Sequence, residues 1–460
     1  MWRYFTLRRI GAVFLETLLL TCCGLAGYLL RFAKVPSDTG EYFYILSKAL
    51  VVAVVFQLSL HLNDVYNFQG QQLSVKFLWP LLRAVVFAVL ATSIIFYIFP
   101  GLTIGRGVFA WNLILASLFV LSWHTMIRLY LRARMPQTNL LVLGASNLAV
   151  DAVREIMAHP ELGIKIVGFV TNHFDDDDVS GVDVKVIGDY GDLPNIVSEH
   201  NVNHIVVGLS DSRKKLPIEN LLDFKTKGML IESVENFYER VTGKIPVENL
   251  RPSWLVFNSG FNISKDVFLQ KRVLSIFLSI VLLILTSPIL LLAMIMIKLD
   301  SKGPVFYKQK RVGQNGRVFR LVKFRSMRQD AEKMTGPVWS TPGSDSRVTR
   351  IGRFLRRTRI DELPQIYNVL RGDMDMVGPR PERPVFVDQL SKEIPFYPLR
   401  HVVKPGISGW AQVSYGYASK LEHTVEKLQY DLFYIKNLSL ALDLMVIFET
   451  VKTVLVRKGS

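Results

Sequence analysis

The chain has 460 residues, enough for two or three domains, and half of them are apolar. The apolar residues fall in blocks, which excludes one large globule and points to membrane segments joined to soluble parts. A net charge of +16 favours phosphates, anionic lipid headgroups or nucleic acid as partners, while the only cysteines, Cys22 and Cys23, sit together in an apolar run and speak against a disulfide framework or a zinc site.

The first apolar block runs from about Ile10 to Leu30, after the basic start Arg3, Arg8 and Arg9. Its core is too long for a cleaved signal peptide, and further blocks follow at roughly Phe43–Leu62, Leu81–Phe99 and Val108–Ile127. Each approaches the ~20 residues that a helix needs to cross the hydrocarbon core. Residues 1–135 are therefore expected to form a membrane α-helical bundle of four spans. Arg3, Arg8, Arg9, Lys76, Arg128, Arg132 and Arg134 flank one side, against Arg31, Lys34 and Arg106 on the other. The excess of positive charge places the N-terminus and the exit of the fourth span in the cytoplasm.

Residues 136–262 change character: short apolar strands at Asn139–Gly144, Lys165–Val170, Lys185–Ile187, His204–Leu209 and Met229–Val234 alternate with helical stretches. That alternation predicts a parallel, Rossmann-like α/β module. The turn after the first strand keeps Gly144 but lacks the second and third glycines of a dinucleotide fingerprint, so a structural or regulatory module is favoured over a nucleotide site. Asp175–Asp178 reads as a solvated loop without calcium-site spacing.

Val273–Ile297 is long enough to be a fifth span, but it has Lys271-Arg272 at one end and Lys298 at the other, so neither end is marked as external. Ser287-Pro288 interrupts it: proline removes a backbone donor, and a nearby serine can satisfy the freed carbonyl. The pieces on either side would be about 20 and about 13 Å long, short of the ~30 Å core. A helix that enters, breaks and returns keeps everything after Lys298 in the cytoplasm. The stretch Leu438–Val456 carries Asp443, Glu449 and Lys452, which favours a helix lying at the membrane interface.

From Lys298 to Arg359 the chain is dense with cations. Many suit contact with anionic lipid, nucleic acid fits poorly for want of a recognition motif, and a diphosphate or lipid phosphate would need some of them at the site. Within and after this stretch come Gly303-Pro-Val-Phe-Tyr-Lys-Gln309, Arg311-Val-Gly313, Lys323-Phe-Arg-Ser-Met327, Asp361-Glu-Leu-Pro-Gln365, Asn368-Val-Leu-Arg-Gly-Asp-Met374, Val377-Gly-Pro-Arg-Pro381, Lys404-Pro-Gly406 and Gly409-Trp-Ala-Gln412. In this order they resemble the sugar transferase domain of the bacterial polyprenyl-phosphate phosphoglycosyl transferases, here residues 263–460 with a re-entrant helix at 273–297. The N-terminal helices and Rossmann-like module resemble the large, exopolysaccharide-assembly branch of that family.

The resemblance implies a mainly α, monotopic catalytic domain that transfers a hexose-1-phosphate from a UDP-sugar to undecaprenyl phosphate at the bacterial inner membrane, releasing UMP and starting exopolysaccharide or capsule synthesis. It implies that Asp361 is the nucleophile, that Glu362 helps it hold Mg²⁺, and that Ser287-Pro288 is the membrane-helix break. A carboxylate that attacks phosphorus stores the phosphosugar as an acyl phosphate. Arg380 lies between Pro379 and Pro381, which stiffen its loop for phosphate binding. Lys323, Arg325, Arg359 and Lys404 are further candidates for diphosphate or nucleotide contacts. Trp410 and Gln412 suit packing or substrate recognition alike. The expected partners are the UDP-sugar, undecaprenyl phosphate, the lipid bilayer, a second copy of the chain and polysaccharide-assembly proteins, with no nucleic acid. Glucose or galactose is expected ahead of N-acetylated sugars.

The chain departs from the family pattern at Asp375, where many relatives have serine, and at Ser414-Tyr415-Gly416-Tyr417. Asp373-Met-Asp375 mimics the metal motif of conventional nucleotide-sugar glycosyltransferases, a rival reading beside that of a non-catalytic scaffold or sensor.

Overall fold

The computed structural model describes residues 2–63, 65–66, 75–102, 105–134, 138–159, 162–172, 182, 184–208, 216–249, 260–261, 264–328, 347–415 and 421–455. Asp175–Asp178 and Gly416-Tyr417 lie outside the described residues. The chain divides into two compact units, Met1–Phe237 and Tyr238–Ser460.

The first unit opens with helices α1 (Trp2–Phe32), α2 (Thr39–Leu62), α3 (Val75–Ile98) and α4 (Arg106–Arg134). Each contains a stretch long and apolar enough to cross a membrane. Their common core is built from Leu20, Phe56, Leu60, Leu81, Ala88, Ala116 and Val120. Small residues let the backbones approach, as at Gly24, where an added Cβ would stand 2.3 Å from that of Ala49. Asp38 caps α2, its carboxylate accepting the Glu41 amide at 2.7 Å.

The Rossmann-like module follows the expected alternation closely. Strands β1 (Thr138–Leu143), β2 (Ile164–Val170), β3 (Val186–Gly188), β4 (His204–Val207) and β5 (Leu230–Ser233) form one sheet in the order β3-β2-β1-β4-β5, and every pair is parallel. Helices α5 (Asn147–Ala158), α6 (Leu193–Glu199) and α7 (Ile218–Thr226) alternate with these strands, and α8 (Val234–Thr242) follows the last. In the loop after β1, the Gly144 amide donates to Val170 O and the Ser146 amide to Gly208 O, each on a neighbouring strand or its end.

In the second unit, the apolar run lies in a single helix, α9 (Lys265–Asp300), 36 residues long. The helical assignment thus runs through Ser287-Pro288, where a break was expected. Pro288 leaves the carbonyl of Ile284 without its amide, and the Ser287 hydroxyl donates to that oxygen at 2.9 Å. The Thr286 hydroxyl similarly bonds Leu282 at 2.7 Å, so the backbone around the proline stays satisfied. Length and composition make α9 a fifth helix able to cross a membrane.

Both ends of α9 are fastened to the same unit. Near its start, the buried Lys271 donates to Val377 O at 2.7 Å, Tyr434 Oη at 2.5 Å and Asp443 at 2.9 Å. At the other end, Ala293 and Ile297 pack against Phe324 and Leu355. Asp443, expected on a lipid-facing interfacial helix, is thus an internal ion-pair partner. It lies in the helix Leu440–Leu455, whose Phe448, Val451 and Val454 are exposed instead.

The boundary at Tyr238 lies upstream of the expected 262/263 junction. The reason is local: Glu239 pairs with Lys436 at 2.5 Å, Lys244 pairs with Glu426 at 2.6 Å, and Trp410 Nε1 donates to Gly243 O at 3.0 Å. Residues just after the module therefore belong to the catalytic unit.

Candidate active site

The strand pair β6 (Phe306–Val312) and β7 (Val318–Phe324) forms an antiparallel hairpin. Its β7 edge is held by Asn368, which is fully buried. The Asn368 side chain accepts the Val322 amide at 2.9 Å and donates to Arg320 O at 2.8 Å. Asn368 lies in α11 (Ile366–Arg371), which follows a 3₁₀ turn, Ile360–Gln365. A short helix α10 (Arg350–Arg357), capped by Thr349, leads into that turn. Arg359 reverses the chain between them with φ 59°, a left-handed conformation unusual outside glycine.

The turn presents Asp361 and Glu362 in different surroundings. Glu362 Oε1 accepts Lys323 Nζ at 3.0 Å and Arg380 Nη2 at 2.9 Å, and Arg359 Nη1 stands 3.8 Å from Oε2. Burial alone would raise its carboxyl, but Lys323, Arg380 and Arg359 hold it well below the usual carboxylate range. Asp361 is buried, and among the described residues no hydrogen bond reaches its carboxylate. Burial, and then the adjacent charge of Glu362, push Asp361 up to about 6, against the pull of Lys323, Arg356 and Arg359. One carboxylate is fixed and charged; its neighbour is unencumbered.

Arg380 is positioned by its backbone. Pro379 O accepts the Gly406 amide at 3.0 Å, Arg380 O accepts Arg400 Nη2 at 3.0 Å, and Pro381 O accepts Arg311 Nη1 at 2.8 Å. Arg400 is itself held by Asp431 at 2.8 Å. Pro379 and Pro381 are buried scaffold in this arrangement. The Lys404-Pro-Gly406 string serves the same loop, because β8 (Asp375–Val377) pairs with β9 (Gly406–Ser408). A Cβ at Gly406 would stand 2.1 Å from Gly378 N, so only glycine permits that approach.

The structure therefore brings together Asp361, Glu362, Arg380, Lys323 and Arg359. It moves Arg325 and Lys404 out of this cluster. Buried Arg325 donates to Ser301 O at 2.7 Å, Ser301 Oγ at 2.9 Å and Lys302 O at 3.0 Å. It is the C-terminal cap of α9, where unpaired carbonyls and the helix dipole attract a cation. Lys404 influences Asp375, together with Lys271 and Arg272. Asp373 accepts Asn368 Nδ2 at 3.2 Å while Asp375 is buried beside Arg272 at 3.8 Å, an arrangement that gives the rival Asp373/Asp375 metal motif no support. Trp410 is buried packing. Sequence reasoning passed over Asn368, Arg400 and Asp431; only Asn368 had a signal, as part of a family string.

Residues 266–457 match the bacterial sugar transferase family, and residues 61–223 match a CoA-binding domain family. The chain is similar to a UDP-glucose:undecaprenyl-phosphate glucose-1-phosphate transferase of Klebsiella pneumoniae, with 32% identity over 443 residues covering 91% of each chain. The chain is a polyprenyl-phosphate phosphoglycosyl transferase. A UDP-glucose:undecaprenyl-phosphate glucose-1-phosphate transferase of Escherichia coli K12 is 34% identical over 330 residues, 69% of this chain and 67% of that one. Against a UDP-N-acetylgalactosamine-undecaprenyl-phosphate N-acetylgalactosaminephosphotransferase of Aeromonas hydrophila, identity is 44% over 228 residues, covering 49% of this chain and about half (52%) of that protein. This phosphoglycosyl transferase is thus a membrane enzyme of the sugar-phosphotransferase kind.

Proposed function

We propose that the enzyme transfers a hexose-1-phosphate from a UDP-sugar to undecaprenyl phosphate, releasing UMP, at the cytoplasmic face of the bacterial inner membrane. It thereby starts exopolysaccharide or capsule repeat units. The observation that carries the reading is the contrast between Asp361, free of hydrogen bonds among the described residues, and Glu362, held by Lys323 and Arg380. The activities for which the relatives from Klebsiella and Escherichia are named support these substrate classes.

An Asp361 oxygen attacks the β-phosphorus of the donor. The bond from that phosphorus to the bridging oxygen breaks, and UMP leaves with the electron pair. A phosphate oxygen of undecaprenyl phosphate then attacks the same phosphorus, the acyl-phosphate bond breaks, and the Asp361 carboxylate returns. Lys323, Arg359 and Arg380 offset the phosphate charge throughout.

Mg²⁺ fits this donor set. No group of three or more metal-type side chains occurs among the described residues, but two carboxylates completed by substrate phosphates and water suit this ion. Asp361 and Glu362 would hold it, and when bound it would neutralise phosphate oxygens of the donor.

A re-entrant α9 is supported by the docking of both its ends on one unit. An α9 that crossed would carry its far end away from the unit that holds its near end. Both termini of the chain would then be cytoplasmic. Reporter fusions that place Ser460 outside would overturn this topology. Purified enzyme offered a panel of UDP-sugars, including N-acetylated ones, tests the reaction. UMP release is expected, whereas UDP release would indicate ordinary glycosyl transfer.

A further inference from the structure

The string Gly303-Pro-Val-Phe-Tyr-Lys-Gln309 belongs to the family pattern, yet among the described residues the polar partners of Glu362 are Lys323, Arg359 and Arg380, outside the string. The structure gives it a place. Tyr307 on β6 lies directly opposite Lys323 on β7. Opposite residues share a face, with Cβ atoms about 4.5–5.5 Å apart. Lys323 is the residue whose ammonium sits 3.0 Å from Glu362. Tyr307 thus stands beside the phosphate-binding cations.

On this face Leu321, two residues before Lys323, is 3% exposed, whereas Tyr307 is 39% exposed. The ring's position is tied to the site by a chain of bonds. Gln309 Nε2 donates to Tyr307 Oη at 3.2 Å, Arg311 Nη2 donates to Gln309 Oε1 at 2.7 Å, and Arg311 Nη1 donates to the Pro381 carbonyl next to Arg380. Phe306, also exposed, points to the opposite face of the strand and stacks on Phe324 with centroids 5.5 Å apart.

A nucleoside diphosphate sugar whose β-phosphate lies at Asp361 extends its nucleoside only a few bonds beyond the cations. Its base has two apolar faces and gains most from a flat, rigid, partly exposed ring. We infer that Tyr307 is the platform on which the pyrimidine base of the donor stacks. The inference rests on the proposed UDP-sugar donor and adds the subsite that recognises its nucleoside.

The test uses full-length enzyme in nanodiscs, with initial rates measured against UDP-sugar at saturating undecaprenyl phosphate. Base stacking on an aromatic ring is worth ~1–3 kcal/mol, so Tyr307→Leu, which keeps apolar bulk without a flat face, should raise the donor KM roughly 5- to 150-fold. Inhibition by UMP should weaken by a similar factor, while kcat and the KM for undecaprenyl phosphate stay near wild type. Tyr307→Phe and Tyr307→Trp should behave like the wild type, and Phe306→Leu should leave the donor KM unchanged. In saturation-transfer NMR on the wild-type enzyme, the base protons of UMP should receive more saturation than the ribose protons, a reading that needs no variant to fold. The proposal is overturned by unchanged donor KM and UMP inhibition in Tyr307→Leu, by a change confined to the lipid KM, or by ribose-dominated saturation. Failure of the donor assignment looks different, since the wild-type enzyme itself would then release no UMP.

Discussion

At the scale of single residues, the two adjacent carboxylates divide the labour through their surroundings. Asp361→Asn keeps the size of the side chain but removes the nucleophile, so UMP release should vanish even without undecaprenyl phosphate. The same change should stabilise the metal-free protein. A carboxyl raised from 3.8 to about 6 favours the fold fully below pH 3.8 and loses that contribution as pH rises through about 6. At neutral pH the neutral amide should therefore raise stability by about 1–3 kcal/mol, read as a higher unfolding midpoint. An unchanged midpoint would mean that Asp361 carries no such penalty. Arg325 gives the opposite pattern. As a buried cap of α9 it should, when replaced by Gln, cost stability by about 1–3 kcal/mol and leave the donor KM alone in folded enzyme. These two residues also mark what the sequence can convey. The Asp361-Glu362 string and the Pro379 and Pro381 flanks of Arg380 are visible as types and spacing. Nothing in a row of cations tells Lys323, which meets Glu362, from Arg325 two positions later, because the strand ends at Phe324 and Arg325 lies beyond its alternation.

At the scale of elements, α9 was legible in its length, its flanking charges and its proline. The Ser287-Pro288 reading captured the repair of the backbone, with the hydroxyl meeting the carbonyl that proline frees. It missed that the helix continues through the repair, because propensity says that proline disrupts but not how much its neighbours restore. Ser287→Ala should destabilise the helix by about 0.5–1.5 kcal/mol through the lost bond, seen as faster hydrogen exchange at the turn around Ile284. Protection equal to wild type would show that another group satisfies this carbonyl. Lys271 is a stronger test of how α9 is held. Lys271→Met leaves Asp443 buried without its cation and should cost about 3–5 kcal/mol, whereas the double change with Asp443→Leu should recover much of that loss. The pairing was not readable from sequence, since the two residues lie far apart in the chain and Asp443 looked like one charge among several on an apolar helix.

At the scale of the whole molecule, the parallel module follows from strand–helix alternation and the four N-terminal helices from the length of their apolar runs, whereas the start of the catalytic unit follows from neither. Residues Tyr238–Asn249 carry no family string, and only their contacts with Trp410, Glu426 and Lys436 assign them. A chain beginning at Val234 should thus retain transfer in nanodiscs and unfold at higher temperature than one beginning at Phe261, which lacks those contacts. Equal midpoints would return the boundary to the later position. The fastening of α9 at both ends has a consequence for kinetics. On the re-entrant reading, the height of Asp361 above the bilayer is fixed, so the lipid acceptor reaches it by lateral diffusion within one leaflet. The relevant acceptor variable is then its mole fraction in the membrane. Diluting proteoliposomes of fixed composition should leave turnover per enzyme unchanged, while diluting undecaprenyl phosphate with inert phospholipid at constant bulk concentration should slow it.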